Sequence, residues 1–519
     1  MFKSIKNDLP ASVVVFFVAL PLCLGIALAS GAPLFSGLIA GIIGGVVVGA
    51  LSGSKIGVSG PAAGLAAIVL TAIGTLGGYE NFLVAVVLGG VIQLIFGFLK
   101  AGIIGYYFPS SVIKGMLTGI GIIIILKQIP HFFGYTKSSG ENTFSAIFNF
   151  NIIDNITLGS TIIGIISLAI LLLWSNVLSK KGKIFQIIQG PLVAVVIGIL
   201  YYFFTTENSK YGISTKYLVS VPVPDSLNSF LGQFVFPNFS AISNPQVWIT
   251  AFTIALVASL ETLLCVEASD KIDPDKNVTP TNRELLAQGT GNIISGLIGG
   301  LPITQVIVRS SANVQSGGKS KLSAILHGFL LLISVILIPT LLNKIPLSVL
   351  AAVLLIVGYK LAKPSVFKEI FQLGWKQWIP FTVTVMGIVF ADLLVGIALG
   401  LMVGIVVILI KSFQNSHFLH IEDKSNGKHK IKMTLAEEVT FFNKGAILKE
   451  LDNLPEEAYL ELDVRKTRYL DNDIIEILED FAFKAKERNI DIQLISERGV
   501  VENPPSYIEF FNLRTKKTA

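Results

Sequence analysis

The chain has 519 residues, of which 52% are hydrophobic and 14% charged, and its mean hydropathy is +0.71. Soluble domains carry about 25% charged residues, so this composition excludes an ordinary soluble protein and indicates one that crosses a membrane several times. The net charge of +6 is spread over the loops. It therefore does not indicate a nucleic-acid-binding surface, and it is typical of cytoplasmic loops. Cys23 and Cys265 lie within apolar stretches, and they predict neither a disulfide nor a metal site.

About fourteen apolar segments follow one another along the chain, judged by the roughly 20 residues that a membrane-spanning helix needs. We place them near 9–30, 36–51, 58–74, 82–99, 110–129, 159–178, 190–204, 248–268, 284–300, 303–314, 322–342, 346–361, 378–391 and 393–411. The first is expected to be a span and not a signal peptide, because it lacks a small-residue cleavage site. An even number of spans, with Lys and Arg concentrated on one side, predicts that both termini are cytoplasmic.

Glu261 in IALVASLETLLCVEA and Arg309 in GLPITQVIVRSSAN are charged residues that look buried within these apolar segments. A charge at the centre of a bilayer costs roughly 2.5 to 3.5 kcal/mol on insertion scales, and such residues usually face a transport pathway or a binding site. The alternative is a structural ion pair between two spans. Both interpretations place Glu261 and Arg309 in the interior of the protein.

The third and tenth segments are short, and we predict that each begins a helix inside the protein at a proline, Pro61 or Pro302. Pro302 follows Pro61 by 241 residues, and the same spacing relates Pro21, which we expect to interrupt the first span, to Thr262. Corresponding breaks in two halves of seven spans predict repeats of inverted topology, over about 9–204 and 248–412. Such breaks are the best sequence indication of a substrate site near the middle of the membrane.

The two predicted helix starts would face each other across the membrane centre. Helix N-termini carry unpaired N–H groups and a partial positive charge, so together they would form a site for an anion. Arg309 lies less than two turns into the tenth segment and would add positive charge there. The sequence therefore predicts an anion site between the third and tenth segments.

The pattern changes after Lys411. Alternating apolar and polar residues in HKIKMTL, AYLELDV and IDIQLIS predict strands, and NDIIEILEDFAFKAKERN between the last two predicts an amphipathic helix. One face of that helix would carry Ile474, Leu478, Phe481 and Ala485. We predict a small α/β domain of about 100 residues over 417–519.

Several stretches of the chain resemble the SulP family of inorganic anion transporters, relatives of the eukaryotic sulfate and chloride/bicarbonate exchangers and of prestin. The stretches are ASVVVFFVALPLCLGIALASG, VSGPAAG, SLETLLCVEASD and TNRELLAQGTGNIISGLIGGLPITQVIVRSSANVQSGGKSKLSAILHG. The resemblance implies an all-α membrane domain over 1–412, with two inverted seven-span repeats that form core and gate domains as in uracil permeases. It also implies a cytoplasmic STAS domain over 417–519 and a homodimer. The STAS domain could bind a cytoplasmic partner.

The resemblance also implies an anion pocket, carried over residue by residue. Its members would be Ala19, Leu22, Ile26, Gly60, Pro61, Ala62, Gln305, Val306, Ile307, Val308 and Arg309. Bicarbonate transporters of the family resemble SLETLLC in using an acidic residue, here Glu261, and a hydroxyl one turn later as sodium ligands. Here Cys265 stands at the second position, and a thiol is a poor ligand for a hard cation such as Na⁺. Glu261 could carry H⁺ instead, and no other cofactor is implied.

These observations predict a secondary transporter of a small inorganic anion in the bacterial inner membrane, working by elevator-like alternating access. Bicarbonate and sulfate are the leading substrates, in that order. A nucleobase permease of the same fold is an alternative that Arg309 and the C-terminal domain disfavour. An anion-gated sensor or scaffold that signals through the STAS domain is another. An integral-membrane enzyme is disfavoured, because the sequence has no nucleophile–base or metal constellation.

Overall fold

The computed structural model describes residues 4–103, 109–135, 156–178, 181, 185, 189–205, 210–223, 232–391, 393–425 and 428–515. The chain forms two compact units, Met1–Leu401 and Met402–Ala519. The predicted boundary at residue 412 lies a few turns later, within the last long helix. That helix carries the chain from the first unit into the second, so its final turns are counted with the second unit.

The first unit is helical, and its helices are numbered α1 to α15 in chain order. They are α1 Ile5–Ala29, α2 Leu34–Leu51 with a π-helical segment at Gly44–Val48, α3 Ala66–Thr75, α4 Tyr79–Phe98, α5 Ser110–Phe132, α6 Leu158–Asn176, α7 Gly190–Phe204, α8 Pro245–Ile272, α9 Thr281–Leu297, α10 Ile307–Gln315, α11 Leu322–Leu337, α12 Leu347–Leu361, α13 Pro364–Gln372, α14 Trp375–Phe390 and α15 Leu393–Gln414. Each of the predicted apolar segments contains one of these helices. The amphipathic α13 was not predicted.

Seven helical stretches in the described part of the chain are long and apolar enough to cross a membrane. They are Ile5–Ala29, Leu34–Leu51, Tyr79–Phe98, Ser110–Phe132, Leu158–Asn176, Pro245–Ile272 and Leu347–Gln372. Four shorter apolar helices accompany them, over Ala63–Thr75, Gly190–Phe204, Leu322–Leu337 and Val395–Lys411. The protein is thus a multi-pass membrane protein, and the count of fourteen crossings stays a prediction.

The predicted break at Pro21 is wrong. Helix α1 runs through both Pro10 and Pro21 without interruption, and α8 runs through Thr262 in the same way. A proline inside a membrane helix is tolerated where neighbouring helices surround the freed backbone groups, and Pro21 is buried. The first and eighth segments are therefore continuous helices, and the third and tenth remain the broken ones.

The predicted helix starts at Pro61 and Pro302 are also wrong. Pro61 ends a short strand, β1 Ser59–Pro61, and Pro302 directly precedes a second one, β2 Ile303–Gln305. The two strands pair antiparallel, with Gly60 opposite Thr304. The backbone at these positions is extended because it pairs with the other half of the chain, so each helix begins only after its strand.

The starts of the two short helices keep the 241-residue spacing between the two halves. Helix α10 begins at Ile307, which is 241 residues after the start of α3 at Ala66. One 3₁₀ turn, Ala63–Leu65, joins β1 to α3. Antiparallel strands followed by helices extend in opposite directions from their crossing point. This arrangement supports the predicted inverted relation of the two halves.

The membrane helices pack in two groups. In the first bundle, α4 packs against α8 and α9, and α1 packs against α2 and α11. In the second bundle, α5 packs against α12 and α14, and α6 packs against α7 and α12. Small residues allow close approach between these helices: a Cβ added at Gly45 would lie 2.6 Å from Cα of Gly328. The strand pair β1–β2 belongs to the first bundle.

Buried amides hold β2 in place. The side chain of Asn292 on α9 accepts the N–H of Ile303 at 2.5 Å and donates to the Ile303 carbonyl at 3.1 Å. It also donates to Oε1 of Gln93 on α4 at 2.6 Å. A three-residue strand cannot satisfy its own backbone groups, and each unsatisfied group inside a membrane costs several kcal/mol. The amides therefore fix the position of the strand.

A buried carboxyl group on α9 supports β1, the other strand of the pair. Glu284 on α9 accepts hydrogen bonds from the Ser52 hydroxyl at 2.5 Å and from Gln288 at 2.9 Å. Gln288 also donates to the hydroxyl of Ser59, the first residue of β1, at 2.8 Å. The chain of contacts from Glu284 to Ser59 anchors β1 to the helix that also holds β2.

The second unit carries a mixed five-stranded sheet in the order β3-β4-β6-β8-β9. Its elements are β3 His417–Ser425, β4 Lys428–Leu435, β5 Glu438–Val439, α16 Lys444–Asp452, β6 Ala458–Asp463, β7 Tyr469–Leu470, α17 Asn472–Glu487, β8 Asp491–Ser496, β9 Gly499–Glu502 and α18 Tyr507–Thr515. The predicted strands and the predicted helix are confirmed. The apolar face expected for that helix, with Ile474, Leu478, Phe481 and Ala485, is buried in the core of this unit.

The end of β6 carries an ion pair. Arg465 donates to both carboxylate oxygens of Asp463, through Nε at 2.9 Å and Nη2 at 2.6 Å. These bonds lower the pKa of the Asp463 carboxyl below its ordinary value. The ion pair therefore stabilises the folded unit above the ordinary aspartate pKa of about 3.9, and the contribution is lost as the pH falls through the lowered pKa.

We predict that Asp463→Asn speeds hydrogen exchange of the β6 amides at pH 7, and that the difference from wild type shrinks below about pH 4. Mass spectrometry of the full chain, with exchange times scaled to the intrinsic rate, measures this. Asp480→Asn serves as the control, because Asp480 is exposed on α17. Equal protection of wild type and Asp463→Asn at pH 7 would show that the pair contributes nothing to stability.

Candidate functional site

A cavity of about 170 Å³ lies between the two helix bundles, next to the strand pair. The first bundle contributes α1, α8, the turn after β1 and the start of α10, and the second contributes α5 and α12. The lining residues are Leu22, Ile26, Pro61, Ala63, Gly64, Leu117, Ile120, Glu261, Leu264, Cys265, Ala268, Val306, Ile307, Val308, Arg309, Val357 and Leu361. Glu261 contributes a carboxyl group and Arg309 a guanidinium group to this wall. The other lining residues are mostly apolar.

Arg309 provides the positive charge of this cavity. It is the third residue of α10, and only 1% of its surface is exposed. Its side chain reaches back across the strand pair, so that a Cβ added at Gly60 would clash with Nη1. None of its three guanidinium nitrogens has an oxygen or nitrogen hydrogen-bond partner in the protein. The Cys23 thiol lies beside it, and a thiol sulfur is a weak acceptor.

An unpaired guanidinium in a protein interior is costly. Burying an ion costs several kcal/mol unless an opposite charge and hydrogen bonds compensate. Arg309 therefore has unused capacity for an anion, and a planar guanidinium binds oxyanions through two parallel N–H···O bonds.

Glu261 lies on α8, and the backbone N–H of Gly64 donates a hydrogen bond to its carboxyl group. Gly64 belongs to the 3₁₀ turn that leads into α3. The approach is close, since a Cβ at Gly64 would lie 2.6 Å from Oε2 of Glu261. Oε2 has no hydrogen-bond partner. The start of the third segment is thus occupied by a carboxyl group of the protein itself.

Cys265 lies one turn after Glu261 on α8 and faces the start of α10. The backbone N–H of Ile307, the first residue of α10, points to its sulfur. Helix α8 therefore contacts the starts of both short helices. The Glu261 carboxyl group lies at the turn before α3, and the Cys265 thiol lies at the start of α10. These two contacts engage one N–H group at each start, and the expectation that the other N–H groups converge on one anion stays a prediction. Arg309 is the cation among the described residues of the cavity wall.

The structural ion-pair interpretation of Glu261 and Arg309 is not supported. Both residues lie in the described part of the chain, yet no ion pair within 4 Å joins them, and Oε2 of Glu261 and all three Arg309 nitrogens lack hydrogen-bond partners. The two charges line one cavity without neutralising each other by direct contact. This leaves both available for ions that enter the cavity.

Most of the predicted pocket residues line the cavity, namely Leu22, Ile26, Pro61, Val306, Ile307, Val308 and Arg309, together with Glu261 and Cys265. Four do not. Ala19 and Ala62 are buried in apolar clusters, and Gly60 lies behind the Arg309 guanidinium. Gln305 is fully buried and donates to Ser269 at 3.2 Å. The side chain of Gln305 therefore supports the strand pair and does not polarise the pocket.

Sequence reasoning missed the second bundle's contribution to the wall. Leu117 and Ile120 come from α5, and Val357 and Leu361 come from α12. They are ordinary apolar residues in ordinary apolar helices, and nothing in their pattern separates them from lipid-facing positions. The sequence analysis also did not include Gly64, although this second glycine of VSGPAAG is a signal for a close backbone approach.

The site has a neighbouring cavity further along α8. This second cavity, of about 430 Å³, shares the lining residue Leu264 with the site and extends to Glu267, Asp270 and Lys271 near the end of α8. Glu267 pairs with Lys271 at 2.6 Å, and Asp270 accepts the N–H of Thr279 at 2.7 Å. We call this second cavity the inner cavity. It lies beside the C-terminal part of α8.

The Sulfate permease family matches residues 5–386, and the chain belongs to this family. The similarity of this chain to individual relatives extends over most of its sequence. YvdB of Bacillus subtilis is 26% identical over 511 residues, covering 95% of this chain and 92% of YvdB. The bicarbonate transporter BicA of Picosynechococcus sp. is 27% identical over 446 residues, covering 84% of this chain and 75% of BicA.

The fold is similar to that of SLC26A9. The solved structure of SLC26A9 matches 94% of this chain and 84% of its own with a TM-score of 0.76 at 18% identity. At this level of identity the likeness establishes the fold and not the substrate. The expected fold class of the family is confirmed.

We predict that Gly60→Ala weakens anion binding several-fold or more, because the added methyl group displaces the Arg309 guanidinium. The matched control is Gly74→Ala, since a Cβ at Gly74 on α3 meets nothing within 4 Å. Isothermal titration of the purified proteins with bicarbonate and with sulfate measures the effect. If Gly60→Ala binds like Gly74→Ala, the guanidinium is not held in place by the backbone of β1.

Proposed function

We propose that this protein is a secondary active transporter of a small inorganic anion, with bicarbonate favoured over sulfate. The observation that carries the proposal is Arg309, a fully buried guanidinium without a partner at the wall of a cavity inside the membrane unit. Membership of the Sulfate permease family and similarity to BicA support it. Residues of α1, α8, α10 and the turn after β1 would surround the bound anion.

The size and polarity of the cavity favour a small monovalent anion. Its volume of about 170 Å³ is large enough for a small oxyanion with part of its hydration shell. The cost of taking an ion out of water grows with the square of its charge, and the wall offers one cation, Arg309. A divalent anion such as sulfate would be only half neutralised. Bicarbonate would be matched by the single guanidinium.

Glu261 gives the site a means of coupling. When its carboxylate is ionised, it repels an anion at Arg309, because both residues line the same small cavity. A cation that binds Glu261 removes this repulsion, so anion and cation would bind together and be carried together. The group that contacts Glu261 is the Gly64 N–H, and the residue one turn later is the thiol Cys265; neither is a ligand for sodium. We therefore favour H⁺ over Na⁺ as the coupling ion.

The proposed movement is alternating access. The first bundle, which carries the site, would act as the core domain, and the second bundle would act as the gate. Leu264 lines both the site and the inner cavity. The closeness of the two cavities supports an inward-facing state, with both termini cytoplasmic as the loop charges predict. Elevator-like displacement of the first bundle would carry Arg309 and Glu261 together.

The remaining features of the proposal rest on the sequence and its resemblance. They are the bacterial inner membrane, fourteen spans in two inverted repeats, a cytoplasmic STAS domain over 417–519 and a homodimer. The second unit is an α/β domain with its own apolar core, as a STAS domain would be. Its proposed role is assembly or regulation. The site residues described above all belong to the first unit.

Arg309→Ala is expected to lower anion binding and uptake about 10- to 150-fold, the equivalent of a lost charge-assisted hydrogen bond of roughly 1.5 to 3 kcal/mol. Arg309→Lys is expected to retain part of the activity, because it keeps the charge without the planar fork. Arg283→Ala is the matched control, since Arg283 is exposed and bonds the Leu51 carbonyl outside the site. Uptake of radiolabelled bicarbonate and sulfate into proteoliposomes measures all three. Normal uptake by monodisperse Arg309→Ala protein would remove the basis of the proposal.

Glu261→Gln is expected to abolish the dependence of uptake on a proton gradient while preserving anion-for-anion exchange, because the amide no longer exchanges a proton. Glu267→Gln is the control, since Glu267 pairs with Lys271 in the inner cavity. Counterflow and gradient-driven uptake, each measured with and without sodium, distinguish H⁺ from Na⁺ as the coupling ion. Gradient-driven uptake that persists unchanged in Glu261→Gln would assign coupling to another residue.

A further inference from the structure

Helix α13 is set off from its neighbours by a break at each end. Helix α12 stops at Leu361, and the backbone of Lys363 leaves the helical region with φ −59° and ψ 136°. After α13, Gly374 takes a φ of +87°, which favours glycine, and α14 begins at Trp375. The chain therefore forms a separate nine-residue helix between two bends.

One face of α13 is apolar and packs inside the second bundle. Val366, Phe367 and Ile370 lie in one cluster with Phe381 of α14 and Ile122 of α5. The rings of Phe367 and Phe381 meet edge to face, with their centroids 5.3 Å apart. This packing holds α13 against the bundle that would act as the gate.

The opposite face of α13 is polar. At 3.6 residues per turn, Ser365, Lys368 and Gln372 lie on the side away from Val366 and Ile370. All three polar residues are exposed. A helix with one apolar face and one polar face that carries lysine is typical of segments that lie in the plane of a membrane surface.

A salt bridge shows at which end of the bundle α13 lies. Glu369 of α13 pairs with Lys114 in the second turn of α5, at 2.7 Å. Helix α13 therefore lies beside the start of α5. Four predicted spans precede α5 and twelve precede α13, so a cytoplasmic N-terminus puts both on the cytoplasmic side.

Four lysines lie on or next to α13, and within the described residues none of them pairs with a carboxylate. We call them the lysine cluster: Lys360 in the last turn of α12, Lys363, Lys368, and Lys376 in the first turn of α14. Lys360 and Lys363 are close enough to repel each other. Glu369 is the one acidic residue between 360 and 376, and Lys114 already pairs with it. The lysine cluster thus presents uncompensated positive charge.

Large apolar side chains are exposed beside the lysine cluster. Phe371, Leu373 and Trp375 are 56%, 59% and 43% exposed. Tryptophan at the end of a membrane helix lies at the level of the lipid headgroups. An acidic protein would match the lysines alone, whereas an anionic lipid has a phosphate for the lysines and acyl chains for the apolar side chains. The combination therefore favours a lipid as the partner.

We propose that α13 and the lysine cluster bind the headgroups of anionic phospholipids in the cytoplasmic leaflet, with Phe371, Leu373 and Trp375 against the acyl chains. The recognised group is a phosphodiester lipid with a net negative charge, such as phosphatidylglycerol. Because α13 packs on the second bundle, bound lipid would anchor that bundle at the membrane surface while the first bundle moves. Lipid binding itself does not rest on the proposed transport function.

The test measures lipid binding next to Trp375 in the full chain. Trp174, Trp248 and Trp378 are replaced by Phe, so that Trp375 is the single tryptophan. The protein is reconstituted in phosphatidylcholine vesicles that contain increasing fractions of phosphatidylglycerol or phosphatidylcholine with brominated acyl chains. Bromine quenches tryptophan fluorescence on contact. The two quenching curves therefore give the binding constant of phosphatidylglycerol relative to phosphatidylcholine at this surface.

Phosphatidylglycerol is expected to bind about 3- to 10-fold more strongly than phosphatidylcholine, since one lysine near an anionic membrane surface adds about fivefold. Lys363→Gln with Lys368→Gln is expected to lower this ratio at least twofold, and Lys363→Arg with Lys368→Arg to preserve it. Lys210→Gln with Lys216→Gln is the control, because it removes the same charge from exposed lysines far from α13 in the sequence.

A ratio near one in the chain with all four lysines would overturn the proposal and assign the lysine cluster to another partner, such as an acidic protein. A ratio that Lys363→Gln with Lys368→Gln leaves unchanged would also overturn it. An equal loss in the control variant would do the same, because the net charge of the protein and not this surface would then select the lipid.

Quenching does not depend on transport, so this inference and the proposed function fail separately. If Arg309→Ala transports normally while the lysine cluster still selects phosphatidylglycerol, the central site is wrong and the lipid surface stands. If transport is lost in Arg309→Ala and the ratio does not depend on the lysine cluster, the central site stands and the lipid surface is wrong.

Discussion

The antiparallel pairing of Ser59–Pro61 with Ile303–Gln305 is the constraint on which the rest of the site depends. Three residues on each side cross inside the membrane unit, and a helix leaves each strand in the opposite direction. Backbone pairing is required because nothing else in a bilayer can satisfy extended N–H and C=O groups. The pairing also decides where the charges lie. It brings Gly60 directly under the guanidinium of Arg309, a position that only a residue without a side chain can occupy.

The strand pair is held by polar residues that take no part in lining the cavity. Asn292 bonds the backbone of β2, and Glu284 supports β1 through Gln288 and Ser59. Both residues lie on α9, so one helix carries the supports for both halves of the crossing. These hydrogen bonds tie both strands to one helix. In the proposed movement, they would keep the distance between Glu261 and Arg309 unchanged while the first bundle moves.

The two charges of the site have different surroundings. Arg309 has no partner at its guanidinium, whereas Glu261 receives the Gly64 N–H at the turn before α3. A helix start stabilises a negative charge, so the dipole of α3 acts on the protein's own carboxyl group and the guanidinium has no carboxylate beside it. In the proposed function, this division would let a cation at Glu261 and an anion at Arg309 occupy one small cavity.

The sequence by itself determined the class of the protein, the apolar segments, the two short segments at Pro61 and Pro302, the α/β domain, and the interior location of Glu261 and Arg309. These follow from local properties: apolar length, strand alternation, helix periodicity and the cost of an intramembrane charge. The sequence could not determine that Pro61 ends a strand, that α1 continues through Pro21, or that Gln305 points away from the cavity. Each of these depends on partners more than 200 residues away or on another helix. The wall formed by Leu117, Ile120, Val357 and Leu361 was likewise decided only by tertiary structure, because an apolar residue on an apolar helix carries no local mark of which neighbour it will face.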